Sequence, residues 1–429
     1  MDRYNLVSFA GLFVLMGLAW LVSSNRRLVN WRCLAAGVGL QLAFAALVFR
    51  APGSRRVFLW LNDRMVEVFG AAQAGQQFVF GPLADVESTG FVLAFQALPL
   101  AIVFAALMGL LYYCGIMQRI IRAFAWVFAR LMRISGAESL CAASNIFVGV
   151  ESATTVRPHL ACMTRSELCT VLTAGMATIA STVLAAYALI LKDQFGTIAG
   201  HLISASILSA PAALVMSKLV LPEDDRPVTL GREVELHYER ESSAIESIIN
   251  GAMAGVRLVV GIVALLIAFL GLLAIADLVI GGVGHLFGPE VTWSLSGLLG
   301  WVMRPLAYAI GVPHEDAALA GRLLGLRLVA TEVPAYQQLA ELLKAGAFVH
   351  GRSPVIIAYA LCGFAHVASL AIFVGGVAAL VPERRKDLAA VGPRALLAAT
   401  LACLMTGAVA GTFYHAAEMV IRVAPAAAP

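Results

Sequence analysis

The stretch TRSELCTVLTAGMATIAS, residues 164–181, occurs a second time as GRSPVIIAYALCGFAHVAS, residues 351–369. Both versions open on Arg-Ser, at Arg165–Ser166 and Arg352–Ser353, and both close on G-x-A-x-[I/V]-A-S. The closing motif is Gly175, Ala177, Ile179 and Ser181 in the first and Gly363, Ala365, Val367 and Ser369 in the second. One polar slot inside it holds Thr178 in one version and His366 in the other. Each version follows a stretch too polar for a plain membrane span, VGVESATTVRP (148–158) with Glu151 and LVATEVPAY (328–336) with Glu332. The unit is therefore an interrupted segment bearing a carboxylate, followed by an apolar helix with a Gly/Ser break at mid-length.

The chain around this unit is built for lipid. Of its 429 residues, 60% are hydrophobic and 13% charged, against about 25% charged in soluble domains, and the mean hydropathy is +0.86. A helix needs roughly 20 mostly apolar residues to span a bilayer. Candidates fall at 5–23, 34–50, 91–113, 167–191, 199–221, 258–284, 354–381 and 395–421. Between 286 and 350 the apolar pattern is broken by Pro305, Pro313, Pro334, Glu315, Asp316 and Glu332. These features predict an all-α polytopic membrane protein. The net charge of +4 is spread out, without the basic cluster that nucleic acid requires. The seven cysteines form no CxxC pair and read as small hydrophobes. The opening MDRYN is weakly charged and no A-x-A site follows, so the first apolar segment reads as a retained span.

Basic residues set an orientation. Arg26, Arg27 and Arg32, then Arg119, Arg122, Arg130 and Arg133, then Arg384, Arg385, Lys386 and Arg394 fall on one side of eight crossings. The positive-inside rule places that side in the cytoplasm, and both termini outside. Arg50, Arg55 and Arg56 run against this bias. Residues 56–70 suit a helix lying in the headgroups, and 222–245 reads as a soluble connection or an interfacial helix. The expected organisation is 1–90, N-terminal spans and interfacial helix; 91–134, a scaffold span and an amphipathic helix; 135–221, the first repeat; 222–285, a polar connection and scaffold span; and 286–429, the second repeat.

Parity gives the repeat its meaning. If the interrupted segments are re-entrant hairpins, three full spans (167–191, 199–221 and 258–284) lie between the two units. Three is odd, so the units are inverted relative to one another. Inverted repeats with broken helices at the bilayer midplane are the layout of secondary transporters. Irregular backbone survives at that depth only inside protein or along a cavity, and Gly149, Pro158, Pro334 and Gly363 mark where it would be freed. A carboxylate at such a tip is costly and usually functional; the alternative for Glu151 is a structural ion pair with Arg157. His366 reads either as a core histidine or as a proton carrier, imidazole being the side chain that exchanges protons near neutral pH.

At these residues the sequence resembles the concentrative nucleoside transporter family, over about 78–413. The landmarks are FVFGPL (78–83), AFQALPL (94–100), LYYCGIMQRII (111–121), SGAESLCAASNIFVG (135–149), MTRSEL (163–168), GMATIAS (175–181), SASILSAPAAL (204–214), RPLAYAIGVPHEDA (304–317) and YALCGFA (359–365). The resemblance implies eight spans, hairpins near 137–163 and 294–350, a homotrimer in the cell inner membrane, and symport of nucleosides with Na+. It places the ribose on Glu332, His366 and Ser369, and the base on Val150, Glu151 and Ser152 with Phe364 nearby. It places Na+ on the Asn145 amide, the Thr178 hydroxyl and the carbonyls of Val148 and Ile179. It implies no organic cofactor.

Three positions depart from the family pattern. The first tip reads Gly149-Val150-Glu151 where Gly-Gln-Thr-Glu is usual, the second reads Thr331-Glu332-Val333-Pro334 where Asn-Glu-Phe-Val is usual, and His366 stands where Asn is usual. A site built to hydrogen-bond one group rejects ligands that lack it, so H+ coupling or a different polar solute stays open beside Na+-driven nucleoside uptake. No HExxH, GxSxG or P-loop pattern points to an enzyme or an ATP-driven pump.

Overall fold

The computed structural model describes residues 3–51, 53–238, 240–286 and 293–415. Among them every regular element is helical, and the one extended pairing is an isolated antiparallel bridge between Ser135 and Leu230. Seven helices are long and apolar enough to cross a membrane: Arg3–Leu21, Trp31–Arg50, Leu93–Tyr113, Arg165–Leu191, Ile198–Val220, Ala244–Gly284 and Pro382–Phe413. The shorter apolar helices Arg352–Leu361 and Val367–Leu380 together form the eighth.

The two repeats are longer than the quoted motifs. The first runs as span Leu93–Tyr113, amphipathic helix Ile116–Met132, hairpin Gly136–Asn145 and Val150–Cys162, split helix Arg165–Ala177 and Ser181–Leu191, and span Ile198–Val220. The second runs in the same order: Ala244–His285, Leu295–Ala309, hairpin Ala317–Val329 and Glu332–Lys344, split helix Arg352–Leu361 and Val367–Leu380, and Arg385–Phe413. The second arm of the first hairpin is a 3-10 helix.

The serines of the repeated Arg-Ser explain why that pair recurs. Ser166 Oγ accepts from Lys218 Nζ at 2.9 Å and donates to Leu221 O. Lys218 in turn lies 2.5 Å from Glu138 at the base of the first hairpin. Ser353 Oγ donates to Asp316 at the base of the second hairpin, 2.5 Å away, and Asp316 also accepts the N–H groups of Val349 and His350. Each hairpin is thus tied at its base to the start of its own split helix, through opposite charges in the two repeats. Capping boxes fix both starts in the first repeat, Ser135 with Glu138 and Thr164 with Glu167; each satisfies backbone N–H groups that have no intrahelical partner.

Four expectations are corrected. The second hairpin spans Ala317–Lys344, not 294–350. Leu295–Ala309 is a separate amphipathic helix, ended before Gly311, whose backbone is left-handed (φ +95°). It presses on the hairpin through glycines, since a Cβ at Gly321 would come within 2.6 Å of Gly300 O and one at Gly325 within 2.7 Å of Gly300 N; small residues at such spacing let helices approach closely. The last span begins at Arg385, so the basic segment 382–394 is mostly its first turns, and the expected positions 416–421 lie outside the described residues. The segment expected as a soluble connection or an interfacial helix holds no helix over its described residues 222–238 and 240–243. They lie along the first hairpin, with Gly136 N–H donating to Thr229 O and His237 N–H to Thr155 O. Finally, the expected span 258–284 is about the last two thirds of a 42-residue helix, Ala244–His285, about 63 Å long, twice the roughly 30 Å hydrocarbon core. The segment 56–70 lies within the helix Ser54–Phe80, which exposes Val57, Trp60 and Phe78.

Candidate solute and ion site

The breaks in the two split helices fall at different heights. The first leaves out Thr178–Ala180 and the second Cys362–His366. In the alignment of the repeats they overlap only at the polar slot, Thr178 and His366. The breaks touch: a Cβ on Gly363 would stand 2.8 Å from Ala177 O and 2.6 Å from Cys403 Sγ, so only glycine admits this approach.

Between hairpin tips and breaks lies a cavity of about 580 Å³, within the 300–1,000 Å³ typical of small-ligand sites. Val148, Glu151, Thr154 and Thr155 line it from the first hairpin, Thr331, Glu332 and Val333 from the second, and Phe364, His366 and Ser369 from the second split helix. His237, Tyr238 and Glu241 of the polar connection also reach it.

Glu332 is buried and held on two sides. Tyr187 OH donates to Oε1 at 2.5 Å, and His366 Nε2 lies 3.1 Å from Oε2. His366 caps the second half-helix, its Nδ1 accepting from Ser369 N–H at 3.2 Å. With Nδ1 accepting the cap bond, Nε2 is the ring nitrogen that faces the carboxylate. Tyr187 stacks on Tyr336 with ring centroids 4.9 Å apart, which fixes the phenol that steers Glu332. Thr331, just before the acid, has φ +144°, a conformation L-residues adopt only under strain. Strain at a tip whose neighbours hold it in place is typical of binding sites.

The remaining sequence-predicted residues divide. Glu151 is exposed on the cavity wall. Ser152 is not: it is buried, with Cys141 Sγ 3.9 Å from its hydroxyl, and Thr154 and Thr155 stand at the wall instead. The side chain of Val150 lies outside the described residues. Ser369 reaches the cavity, but its hydroxyl donates to Phe364 O and His366 O within its own cap.

Beneath the first tip, Asn145 is fully buried. Its Nδ2 donates to Cys141 O at 3.1 Å, while its Oδ1 has no partner. Thr178 Oγ1 donates to Ala174 O and keeps its lone pairs. Ser206, unremarked in the sequence reading, donates to both Ile146 O and Ile179 O, at 2.9 and 3.3 Å. The Asn145 acceptor and the Thr178 lone pairs are oxygens of the kind a hard cation takes. Tyr187 and Ser206 were missed because each lies in an apolar stretch away from the motif's polar slot, Tyr187 in the half-helix Ser181–Leu191 and Ser206 among the serines of Ile198–Val220.

A profile for the N-terminus of Na+ dependent nucleoside transporters matches residues 10–83, one for "Gate: Nucleoside recognition" matches 94–194, and one for the C-terminus of the same transporters matches 201–411. Solute carrier family 28 member 3 of Mus musculus is 37% identical over 96% of this chain, and an uncharacterized transporter of Haemophilus influenzae is 36% identical over 95% of it and 97% of its own length. The chain belongs to the Na+ dependent nucleoside transporter family. The chain spans 59% of the length of the mouse relative. CNTnw, solved in an inward-facing substrate-bound state, superposes with a TM-score of 0.87 at 36% identity, over 96% of this chain and 98% of that one. Family membership makes the fold that of a membrane transporter and gives the split helices and hairpins their context.

Proposed function

We propose that the protein is a secondary active symporter that takes up nucleosides or close relatives across the cell inner membrane, driven by a Na+ gradient and working as a homotrimer. The observation that carries this reading is the Glu332 carboxylate at the cavity wall, steered by Tyr187 and faced by His366. Each carboxylate oxygen keeps acceptor capacity after those contacts, so Glu332 can accept from two vicinal ribose hydroxyls. Such charge-assisted bonds are strong in a dry site. Phe364 offers a face to the base, and Glu151, Thr154 and Thr155 supply polar groups in place of the tip residues usual in the family.

For the ion, the unpartnered Asn145 Oδ1 supports Na+. An ion joining Asn145 to the Thr178 and Ile179 oxygens and to the Val148 carbonyl would tie the first tip to the first break. Solute and ion then share one hairpin, which is a physical basis for coupling.

A second reading, H+ coupling, is favoured by one observation: Nδ1 of His366 accepts the cap bond from Ser369. A proton arriving at Nδ1 must break that bond and loosen the half-helix start beside the solute. The test is thermal stabilisation of purified protein by uridine, adenosine, nucleobases and sugars, with Na+ or choline, across pH. Binding to the folded state raises apparent stability. A nucleoside shift that grows with Na+ supports the first reading; one that ignores Na+ and follows pH supports the second; a shift with sugars or nucleobases alone removes the nucleoside.

A further inference from the structure

One arginine is buried in the core beside the second break. Arg327, on the first arm of the second hairpin, is 1% exposed. Among the described residues no carboxylate lies within 4.0 Å of its guanidinium. Its Nη1 donates to Ala360 O at 2.6 Å, and its Nε has no partner. A buried charge without a counter-charge is expensive, so its surroundings have to compensate it.

Those surroundings are the carbonyl end of a half-helix. Arg352–Leu361 stops at the second break, and its last carbonyls lack intrahelical donors. Ala358 O is met by Tyr336 OH at 2.9 Å and Ala360 O by Arg327. The C-terminal end of a helix carries partial negative charge, and a cation there is stabilising. In the first repeat the equivalent end, at Ala177, is met among the described residues by neutral donors: Thr178 Oγ1 on Ala174 O and Cys403 Sγ on Ala177 O.

The two repeats place the relevant side chains alike. Asn145 stands six residues before Glu151 and Arg327 five before Glu332, each near the end of its hairpin's first arm. Arg327 reaches the half-helix that precedes the second break, through Ala360 O.

We propose that Arg327 is a tethered cation, doing in the second repeat what a bound Na+ does in the first: it neutralises the carbonyl end of a half-helix and so holds the Cys362–His366 break with Phe364 and His366 at the cavity. The comparison with Na+ rests on the ion site proposed for Asn145 and Thr178. Arg327 is a positioning residue, acting on the solute through the Ala360 carbonyl and the break that follows it. The second repeat therefore needs no ion of its own.

The experiment compares Arg327→Lys, Arg327→Met and Arg327→Ala in the full chain. The readouts are the uridine concentration for half-maximal thermal stabilisation and the response to low-millimolar guanidinium, far below denaturing levels. Arg327→Lys keeps a cation and should bind within a few fold of the parent. Arg327→Met keeps the length without the charge and should bind on the order of tenfold more weakly, the worth of one charged hydrogen bond. Guanidinium should restore Arg327→Ala and leave Arg327→Met unchanged, since the methionine fills the space. The proposal is overturned if Lys and Met variants bind alike, or if guanidinium fails to restore a folded Ala variant. Should the Ala variant not fold, the Lys and Met pair decides alone. The Na+ dependence of the parent protein is read in the same assay: its absence would remove the ion from the first repeat, while the Lys, Met and guanidinium comparison still reports on Arg327.

Discussion

His366 Nε2 stands 3.1 Å from Glu332 Oε2, across the gap between the second hairpin's tip and the second broken helix. The same imidazole caps the half-helix through Nδ1. One side chain thus joins the solute-facing acid to the start of a helix, and any ligand that moves Glu332 acts on that start.

Glu332→Gln should abolish most uptake while membrane level and fold are retained. Replacing a buried, paired carboxylate costs roughly 2–5 kcal/mol, which is far more than a carrier's working margin. Uptake kinetics beside a surface-expression control check this; near-parental uptake would take Glu332 out of the site.

Tyr187→Phe removes the bond to Glu332 Oε1 and keeps the stack on Tyr336. A hydrogen bond to a charged group is worth about 1.5–3 kcal/mol, so melting temperature and solute affinity should both fall, affinity by about tenfold or more. A melting temperature that drops with affinity unchanged would make Tyr187 a packing residue only.

His366→Asn replaces one N-cap by a better one, and asparagine is the residue usual at this position in the family. Nucleoside binding should persist or improve. Complete loss of binding would mean that the imidazole itself contacts the solute or carries the coupling proton.

Asn145→Leu removes a buried amide oxygen that has no partner. Sodium-dependent stabilisation should disappear, while stability in choline should hold or rise because an unsatisfied acceptor is gone. Thr178→Val should weaken the sodium response in the same direction. Titrating melting temperature against Na+ at constant ionic strength decides both; unchanged sodium curves would place the ion elsewhere.

The sequence showed the repeat where polar residues interrupt apolar ones. Glu151, Glu332, Gly363, His366 and the Arg-Ser pairs were legible because each breaks a pattern that lipid otherwise enforces. The outer parts of the repeat were not. Ile116–Met132 and Leu295–Ala309 share only their amphipathic character, which leaves no residue-by-residue trace. Arg327, Tyr187 and Ser206 were invisible for a different reason: their partners lie 33, 145 and 60 residues away, and helical periodicity carries no information about such contacts. Ser152 is buried on the tight 3-10 arm while Thr154 and Thr155 line the cavity, a facing that the sequence pattern does not carry.

The central claim, that a Na+ gradient drives nucleosides through the cavity at Glu332, is tested most directly by uptake of labelled uridine and adenosine into proteoliposomes. An inward Na+ gradient should accumulate solute above its external concentration, collapse when Na+ is equal on both sides, and vanish in Glu332→Gln. Accumulation that ignores Na+, or that persists without the Glu332 carboxylate, would contradict the account.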